Sequence, residues 1–582
     1  MNIPRSEHPR PNFVRSNWCN LNGQWQFEID NGRSGEARGL HREGVSLSGS
    51  ILVPFCPESS LSGVEHKDFL CGVWYKRTIE LDALSDRVRL HFGAVDYRCK
   101  VFVNGKRAGE HTGGYTSFFF DITESLRVGK NEIAVYAEDD TRDPLIPSGK
   151  QSMRYNSWGC YYTRTTGIWQ TVWLEFLPEA HINTVKYYPN IADGSITMEI
   201  SLCGEGDFSC RVSFDGRDMG SYTAKQAAGM LFLTIPLAET HLWDVGQGNL
   251  YDVRFSFGED RVDSYFGLRQ VRIDGHRVLL NERSVFQRLV LDQGYYPEGV
   301  YTAPTDADLV RDIELSLAVG FNGARLHEKV FEERFLYHAD RLGYLVWGEY
   351  PDWGLDHSNP DHIYSILPEW MEEIDRDFNH PSIVGWCPHN ETWDQEGHKQ
   401  FDPAIALVYD VTRSLDPTRP CIDTSGNFHV KTDIYDVHDY NHDPATFKEH
   451  YDRLMTDGTL YSTFEPPESL EGRYEKRQHF PGRMPVFVSE YGGAYWVPGK
   501  QEKGAGSWGY GTDVQNEAEF MARLRGLTDA LLDNDCMFGF CYTQLTDVEQ
   551  EQNGLYTYDR QPKFDREALR AIFARPAAIE SV

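Results

Sequence analysis

Two glutamates in the second half of the chain each follow a short apolar segment typical of a buried strand. Glu391 comes after Ile383-Val384-Gly385-Trp386, and Glu490 comes after Val486-Phe487-Val488. Hydrolysis of a glycosidic bond needs two carboxyl groups, because one must protonate the leaving oxygen while the other attacks or activates water. Burial and mutual repulsion can separate their pKa values, so both roles can coexist at one pH. Either glutamate alone could simply end a strand in solvent or cap a helix, but the pair favours catalysis.

The two carboxyl groups can act together only in a fold that brings the ends of several strands close to one another. The sequence after about residue 274 indicates such a fold. Strand-like and helical segments alternate there, which indicates a (β/α)8 barrel of parallel strands. Polar residues at the carboxyl ends of barrel strands face the active site. A third such cluster, Asp436 to Tyr440, is therefore expected beside the two glutamates. The predicted strands are 320–326, 344–347, 382–386, 434–437, 486–488 and 538–542, and the predicted helices are 305–319, 331–341, 403–415 and 517–533.

The region before the barrel predicts β-structure in two parts. Residues 1–180 contain apolar runs of strand length and the hairpin signal Asn104-Gly105, which favours a jelly-roll β-sandwich. Residues 181–273 keep the strand pattern with shorter spacing, which suits an immunoglobulin-like β-sandwich. We therefore predict three domains, at 1–180, 181–273 and 274–582.

The amino-acid composition argues against several classes of binding partner. The 582 residues carry a formal charge of −31, which disfavours binding to nucleic acid and to anionic membranes. The N-terminus lacks the apolar stretch of a secretory signal, and the 11 cysteines show no paired spacing, so a cytoplasmic location is expected. No spacing typical of metal ligands, dinucleotide binding or phosphate loops occurs, so no metal and no cofactor are predicted.

The motifs around the two glutamates resemble glycoside hydrolase family 2, the family of β-galactosidases, β-glucuronidases and β-mannosidases. Asn379-His380-Pro381-Ser382-Ile383, followed by Trp386 and then Asn390-Glu391, is similar to the family's acid/base signature. Phe487-Val488-Ser489-Glu490-Tyr491-Gly492-Gly493 is similar to its nucleophile strand. The resemblance extends through the earlier domains, and it is carried there by Asn22-Gly23-Gln24-Trp25, Gly113-Gly114-Tyr115, 166–170, Phe266-Gly267-Leu268-Arg269 and Leu280-Asn281.

The resemblance implies roles for individual residues. Glu490 would be the nucleophile and Glu391 the general acid/base of a retaining double displacement. Glu391 would lie on the fourth strand of the barrel and Glu490 on the seventh. Asn390 would bond the sugar 2-hydroxyl, while Tyr440 and Arg325 would bond the nucleophile and keep it ionised. For Tyr440 and Arg325 the alternatives are a tyrosine packed on the core and a solvated arginine.

Several further residues are candidate sugar ligands. His327 and His438 stand at strand ends, where a histidine could bind a sugar hydroxyl or a metal, and we expect the hydroxyl. Tyr542 stands about where relatives place an aromatic platform. The candidate hydroxyl ligands are Asp292, Gln544 and Asp547. The alternative for each is a structural role, because turns at strand ends favour the same residue types.

The sugar itself is less well indicated. β-Glucuronidases carry an Asn-x-Lys motif that grips the sugar carboxylate, and here Glu551-Gln552-Asn553 stands at that place. An acidic residue would repel a uronate, so the sequence favours a neutral sugar, with β-galactoside first and a glucoside or arabinoside as alternatives. A non-catalytic carbohydrate-binding protein and a transglycosylase are the other possibilities. The expected partner is a carbohydrate, and homo-oligomerisation is left open.

Overall fold

A computed structural model describes residues 3–392, 399–426, 428–461, 480–499, 504 and 506–581. It has the predicted architecture: a jelly-roll sandwich, an immunoglobulin-like sandwich and a barrel of parallel strands follow one another along the chain. Each has its own hydrophobic core. The division into three units therefore follows from three separately buried apolar clusters.

The first sandwich packs a six-stranded sheet, in the order β4-β3-β5-β11-β8-β9, against a four-stranded sheet, in the order β10-β6-β13-β2. Asn104 and Gly105 connect β8 and β9 with φ values of +50° and +76°, as a two-residue hairpin turn requires. The elements to residue 177 are β1 (Phe13–Val14), β2 (Trp18–Asn20), β3 (Gly23–Ile29), α1 (Gly35–Arg38), β4 (Gly49–Val53), β5 (Val73–Leu81), β6 (Arg87–Phe92), β7 (Val95–Asp96), β8 (Arg98–Val103), β9 (Lys106–Thr112), β10 (Phe118–Asp121), β11 (Gly129–Glu138), β12 (Gly167–Ile168) and β13 (Val172–Leu177).

The second sandwich is built around one long hairpin. Register shifts between Leu202 and Phe208 divide β15 into a half that pairs with β14 and a half that pairs with β17. The strands are β14 (His181–Asn190), β15 (Ser195–Phe214), β16 (Arg217–Pro236), β17 (Leu250–Phe257) and β18 (Asp260–Gly267), and a small sheet follows with β19 (Val271–Asp274), β20 (Arg277–Leu280) and β21 (Arg283–Ser284).

The predicted domain boundaries can be compared with these elements. The first, at 180/181, falls where β14 begins, whereas the second, at 273/274, falls inside β19. Strand β1 pairs with β18 of the second sandwich although it lies in the predicted first domain. We propose to keep the first boundary and to move the second to the residues just before Val271.

The barrel consists of parallel strands that alternate with helices. Its sheet has the order β25-β24-β23-β22-β28-β27-β26, with every pair parallel. The elements are β22 (Gln287–Asp292), α2 (Asp306–Ala318), β23 (Gly323–Leu326), α3 (Glu333–Leu342), β24 (Leu345–Glu349), α4 (Ile363–Asp377), β25 (Ile383–Cys387), α5 (Asp402–Leu415), β26 (Tyr435–Asp439), α6 (Pro444–Thr456), β27 (Val486–Tyr491), α7 (Glu517–Leu532), β28 (Met537–Tyr542) and α8 (Arg566–Phe573).

The segment 421–425 occupies the position of the fifth strand. It makes parallel bridges to the β25 side at Trp386–Cys421 and Asn390–Ser425. Toward β26, the Ser425 hydroxyl donates to Asp436 at 2.6 Å. Counted with this segment, β25 is the fourth strand and β27 the seventh. Glu391 and Glu490 therefore stand at the ends of the strands that the sequence predicted for them.

The jelly roll contacts the carboxyl end of the barrel. The backbone N–H of Ser148 donates to the Trp353 carbonyl at 2.7 Å, and the Tyr162 hydroxyl donates to Glu551 at 2.5 Å. An aromatic cluster that includes Tyr115 and Tyr301 is buried between the two domains. Residues 148–162 of the first domain therefore form part of the rim around the barrel mouth. Within the described residues, every helix is too short or too polar to cross a membrane.

Candidate active site

The two glutamates converge at the barrel mouth. A carboxylate oxygen of Glu391, a carboxylate oxygen of Glu490 and a ring nitrogen of His438 all lie within 4.8 Å of one another. Retaining glycosidases hold their carboxyl groups about 5–5.5 Å apart, whereas inverting ones leave about 6.5–9.5 Å for a water molecule. The spacing therefore matches attack by one carboxylate rather than attack by an intervening water.

Glu490 is enclosed by donors. Its side chain is 3% exposed, and it accepts a hydrogen bond from the Tyr440 hydroxyl and another from Arg325 Nη1 at 3.4 Å. Burial, followed by the nearby Glu490 and Glu391 charges, raises the pKa of Tyr440 well above its usual value, so its hydroxyl keeps the proton that it donates. These contacts stabilise a carboxylate and aim it into the mouth.

Arg325 holds several of these groups in fixed positions. Its guanidinium donates to the Ser489 carbonyl at 2.7 Å, to Asn390 Oδ1 at 3.2 Å and to Glu349. Burial opposes its charge, but Glu349 and Glu490 raise its pKa well above the usual value. One always-charged side chain thus aligns the strand that carries Glu490 with the segment that carries Asn390 and Glu391.

Glu391 occupies a different environment. Its side chain is 12% exposed, its φ is +51°, and one of its oxygens lies 2.6 Å from His438 Nδ1. A non-glycine residue in the left-handed region costs about 1–3 kcal/mol and is frequent at functional sites. The other nitrogen of His438 lies 3.5 Å from Glu490 and 3.1 Å from Ser425 Oγ, so this ring lies between the two carboxyl groups.

His438 and His327 have opposite electrostatic surroundings. Burial favours the neutral ring of His438, but the charges of Glu490 and Glu391 outweigh it and raise the pKa of His438. Burial, followed by the Lys150 charge, lowers the pKa of His327 well below its usual value. His327 Nδ1 bonds Glu349 at 2.9 Å, and its Nε2 lies 3.9 Å from Glu490.

Asn390 presents a free donor beside the pair. Its Oδ1 accepts from Arg325, whereas its buried Nδ2 has no hydrogen-bond partner among the described residues. An unpaired buried amide costs free energy unless something binds it. The Trp353 indole donates to the Asn390 carbonyl at 3.0 Å and fixes this segment from the outer side.

Comparison with known proteins decides the family. The chain matches the sugar binding domain of glycosyl hydrolases family 2 over residues 62–149, a second family 2 domain over residues 180–269, and the family 2 TIM barrel domain over residues 302–575. The chain belongs to glycosyl hydrolases family 2. It is a glycoside hydrolase, as the paired glutamates predicted.

Individual relatives of this family 2 enzyme differ in how much of the chain they match. A β-glucuronidase of Streptococcus agalactiae is 23% identical over 94% of this chain and 94% of its own length. A putative β-glucuronidase of Formosa agariphila is 26% identical over 60% of this chain, and this chain spans 44% of that protein. A β-galactosidase of Thermoanaerobacter pseudethanolicus is 28% identical over 65% of this chain and 51% of its own length. The solved β-glucuronidase from Ruminococcus gnavus in complex with D-glucuronic acid has the same fold, with a TM-score of 0.78, 19% identity and coverage of 98% of this chain and 100% of that one.

Two residues that the sequence did not single out also belong to the site. Glu349 ends the apolar strand Leu345–Glu349 and bonds both Arg325 and His327. That is the same pattern that drew attention to Glu490, so the sequence contained a signal for it.

Lys150 of the family 2 enzyme had no such signal, because it comes from the jelly roll. Its Nζ lies 3.4 Å from the centroid of the Trp353 ring, and it makes no hydrogen bond or ion pair with any described residue. Burial works against its charge, but Cys160, Glu328, Glu490 and Glu391 raise its pKa. The enzyme therefore holds a buried and unpaired cation beside its carboxyl groups.

Tyr542 lies away from the mouth. Its ring packs against Tyr491 and Phe573, at ring-centroid distances of 5.6 Å each, between the strand and the helices. Successive residues of a strand point to opposite faces, so the following Thr543 faces the site instead, with its hydroxyl 3.2 Å from that of Tyr440. Tyr542 is thus not placed to act as the aromatic platform expected from the sequence.

Gln544 and Asp547 are engaged by protein partners. The Gln544 amide accepts from Gln293 and donates to Asn553, both at 2.8 Å. Asp547 accepts from Lys563 Nζ at 2.8 Å and from the Gly554 N–H at 2.9 Å, and burial raises its pKa to about 6. These contacts are structural, so we no longer expect either residue to bind a hydroxyl.

Asp292 is also held by the protein. It accepts from the Gly294 N–H at 2.9 Å, and burial followed by the nearby Asp312 raises its pKa to about 7. None of its hydrogen bonds within the described part of the chain involves Glu391 or Glu490. Among the predicted ligands, the structure therefore gathers Asn390, Arg325, Tyr440, His327 and His438 around the two glutamates.

The absence of a metal was predicted from sequence spacing, and two groups of described residues could hold a cation. One is the Glu391, His438 and Glu490 group itself, and the other consists of His357, His362 and His389. The first group is occupied by the hydrogen bonds described above. The second is considered separately below.

Proposed function

We propose that this family 2 enzyme is a retaining exo-β-glycosidase in which Glu490 is the nucleophile and Glu391 the general acid/base. The spacing of the two carboxyl groups, within 4.8 Å at their nearest oxygens, carries the proposal. Glu490 would attack the anomeric carbon while Glu391 protonates the departing oxygen. Glu391 would then take a proton from water as that water releases the sugar from Glu490, and the β-configuration would be retained.

The two glutamates have different surroundings, which suit different roles. Glu490 accepts bonds from Tyr440 and Arg325, which favour the ionised form needed for attack. Glu391 is more exposed, as a group that exchanges protons with water must be. The free Nδ2 of Asn390 is a suitable donor to a sugar hydroxyl. The rim formed by residues 148–162 supports action at chain ends.

For the sugar we propose a β-glucuronide, which replaces the β-galactoside expected from the sequence. β-Glucuronidases of Streptococcus agalactiae and Paenibacillus borealis align with 94% and 95% of this chain. Lys150 supplies an unpaired cation that a uronate carboxylate could bind. The acidic Glu551, which argued against a uronate, is held by Tyr162 and Asn553, and burial raises its pKa to about 7, which weakens the repulsion.

A β-galactoside is the second candidate. Glu551 stands where the sequence comparison places a uronate-gripping asparagine, and it remains an acid that would repel a uronate once ionised. The β-galactosidase of Thermoanaerobacter pseudethanolicus, which matches part of this chain, agrees with that alternative.

The deciding experiment measures kcat/KM on nitrophenyl β-glucuronide, β-galactoside, β-glucoside, β-mannoside and both anomers of the arabinoside. We expect β-glucuronide to be the best substrate and the first-formed product to be the β-anomer by proton NMR. Lys150→Met should lower kcat/KM on the glucuronide by about 10- to 100-fold, because a charge-assisted hydrogen bond contributes about 1.5–3 kcal/mol.

Lys150→Arg is the matched control, since it keeps the cation and should retain more of the glucuronide activity than Lys150→Met. Equal losses on glucuronide and galactoside in Lys150→Met would rule out carboxylate recognition by this lysine. A first-formed α-anomer would refute the retaining mechanism whatever the sugar.

A further inference from the structure

Three histidines meet beside the active site without forming part of it. His357 lies in the loop after β24, His362 ends the short helix before α4, and His389 directly precedes Asn390. One nitrogen of each ring lies within 4.8 Å of the other two. The ring centroids are 5.3, 5.6 and 6.3 Å apart, and the planes are nearly perpendicular to one another, at 77–79°. The rings thus surround a common point.

The other nitrogens of two rings are anchored by hydrogen bonds, and that of the third lies at ion-pair distance from a carboxylate. His362 Nδ1 bonds the Asn359 carbonyl at 2.7 Å, and His389 Nδ1 bonds the Asp423 carbonyl at 3.0 Å. His357 Nε2 lies 2.9 Å from Asp352 Oδ2. Carbonyl and carboxylate oxygens accept hydrogen bonds, so the anchored nitrogens carry the protons and the opposite nitrogens carry lone pairs.

The three nitrogens that carry lone pairs have nothing to bind. His357 Nδ1, His362 Nε2 and His389 Nε2 are buried and have no hydrogen-bond partner among the described residues. Three unpaired acceptors at one buried point are costly unless a cation fills it. Metal-binding histidines typically donate their second N–H to a carbonyl or a carboxylate, as His362 and His389 do here.

We propose that His357, His362 and His389 bind one divalent transition-metal ion, with Zn²⁺ as the first candidate. Three imidazoles suit Zn²⁺, Co²⁺, Ni²⁺ or Cu²⁺, whereas Mg²⁺ and Ca²⁺ prefer oxygen ligands. Zinc–nitrogen bonds of about 2.0–2.1 Å require only a small inward shift of the rings. His357 is 10% exposed and leaves a path for the ion and for a fourth ligand.

Burial lowers the pKa of two of the rings. Burial and the neighbouring His357 lower the pKa of His362 to about 4. Burial, followed by His357 and His362, lowers the pKa of His389 well below its usual value.

The site is coupled to the catalytic segment through Asp352. One oxygen of this residue lies 2.9 Å from His357 Nε2, and the other accepts from the Asn390 N–H at 2.8 Å. His389 is also the residue before Asn390. A bound ion would therefore act as a positioning element for Asn390 and Glu391 rather than as a participant in the reaction.

The test is isothermal titration of chelator-treated enzyme with Zn²⁺, together with the visible absorption of the Co²⁺ form, which reports tetrahedral coordination. We expect one tight equivalent in the wild type. His362→Gln should weaken binding by at least about 100-fold, and His357→Gln at the exposed edge should also weaken it.

Two matched variants should keep the full equivalent. His8→Gln removes a lone histidine whose pKa burial also lowers to about 4. Glu490→Gln disables the proposed nucleophile, so the metal site can be judged independently of turnover. Thermal melts in chelator verify that each variant is folded. No binding in the wild type, or unchanged binding in both His362→Gln and His357→Gln, would overturn the proposal. Loss of the ion in Glu490→Gln would assign it to the catalytic carboxyl groups instead.

Discussion

The ends of β27 and β28 are neighbours in the barrel and both carry buried polar residues, yet the two sets are bound differently. After β28, Gln544 donates to Asn553, and Asp547 accepts from Lys563. Around β27, the donors converge on Glu490, while Asn390 Nδ2 and Lys150 Nζ beside it have no protein hydrogen bond within the described residues. Burial with bonds to fixed protein groups marks structure, whereas burial with convergent but unpaired groups marks a place for a ligand.

The substitution Glu490→Gln should have the largest effect on turnover. Glu490→Gln keeps the shape but replaces an oxygen of the proposed nucleophile, so kcat should fall by about 10⁴-fold or more. Turnover of the preferred nitrophenyl glycoside measures this. The melting temperature should stay close to that of the wild type, and full activity in the variant would remove the basis of the two-glutamate assignment.

Substitution of Asp547 should lower the stability of the fold and leave the activity nearly unchanged. Asp547→Ala leaves Lys563 buried without its partner, which should destabilise the fold by about 3–5 kcal/mol. Urea unfolding at pH 7 measures this, and kcat/KM of the folded fraction should change little. As a control, Asp529→Ala breaks the half-exposed contact with Arg575 and should cost less than about 1 kcal/mol. A larger effect of Asp547→Ala on activity than on stability would make it a site residue after all.

Tyr440 belongs to the group of residues around Glu490. Tyr440→Phe removes one donor to Glu490 and keeps the ring, which stacks on Tyr510 at 3.5 Å between centroids. We expect kcat to fall by about 10- to 100-fold, since a hydrogen bond to a charged group contributes about 1.5–3 kcal/mol. The pH profile of kcat/KM should also change, because Glu490 loses one hydrogen-bond donor. Unchanged kcat and an unchanged profile would reduce the tyrosine to a packing role.

His429 should affect the stability of the fold in a way that depends on pH. It bonds Asp423 at 2.7 Å and lies 3.1 Å from Asp436, which in turn bonds Ser425 and Ser489 below the mouth. Burial opposes its charge, but these two acids raise the pKa of His429 to about 10. The pKa is higher in the folded state, so the stabilisation is complete below about pH 6.5 and is lost as the pH rises toward 10.

The measurement is the melting temperature of the wild type and of His429→Gln between pH 6 and 10. The wild type should be more stable by about 1.5–3 kcal/mol at pH 6, and the difference should shrink toward pH 10. A difference that does not vary with pH would show that the ring is neutral in the folded protein.

The sequence was most informative where a signal is local. Apolar strands followed by a glutamate identified β25 and β27, and the predicted helices 305–319 and 517–533 match α2 and α7. Helix α4 and the fifth-strand segment 421–425 were not predicted. The latter has few residues and depends on pairing with β25, so its conformation is set by a neighbour distant in the chain rather than by its own pattern.

By itself, then, the sequence determined the three-part architecture, the family and the two glutamates, because each rests on patterns within a few residues or on a recognisable motif. Only the tertiary structure decided that Tyr542 faces the helices, that Lys150 of the first domain lies on Trp353 beside the carboxyl groups, and that His357, His362 and His389 share one point. These contacts join residues from different turns, strands and domains. They are determined by side-chain direction and long-range packing, and no short stretch of sequence contains that information.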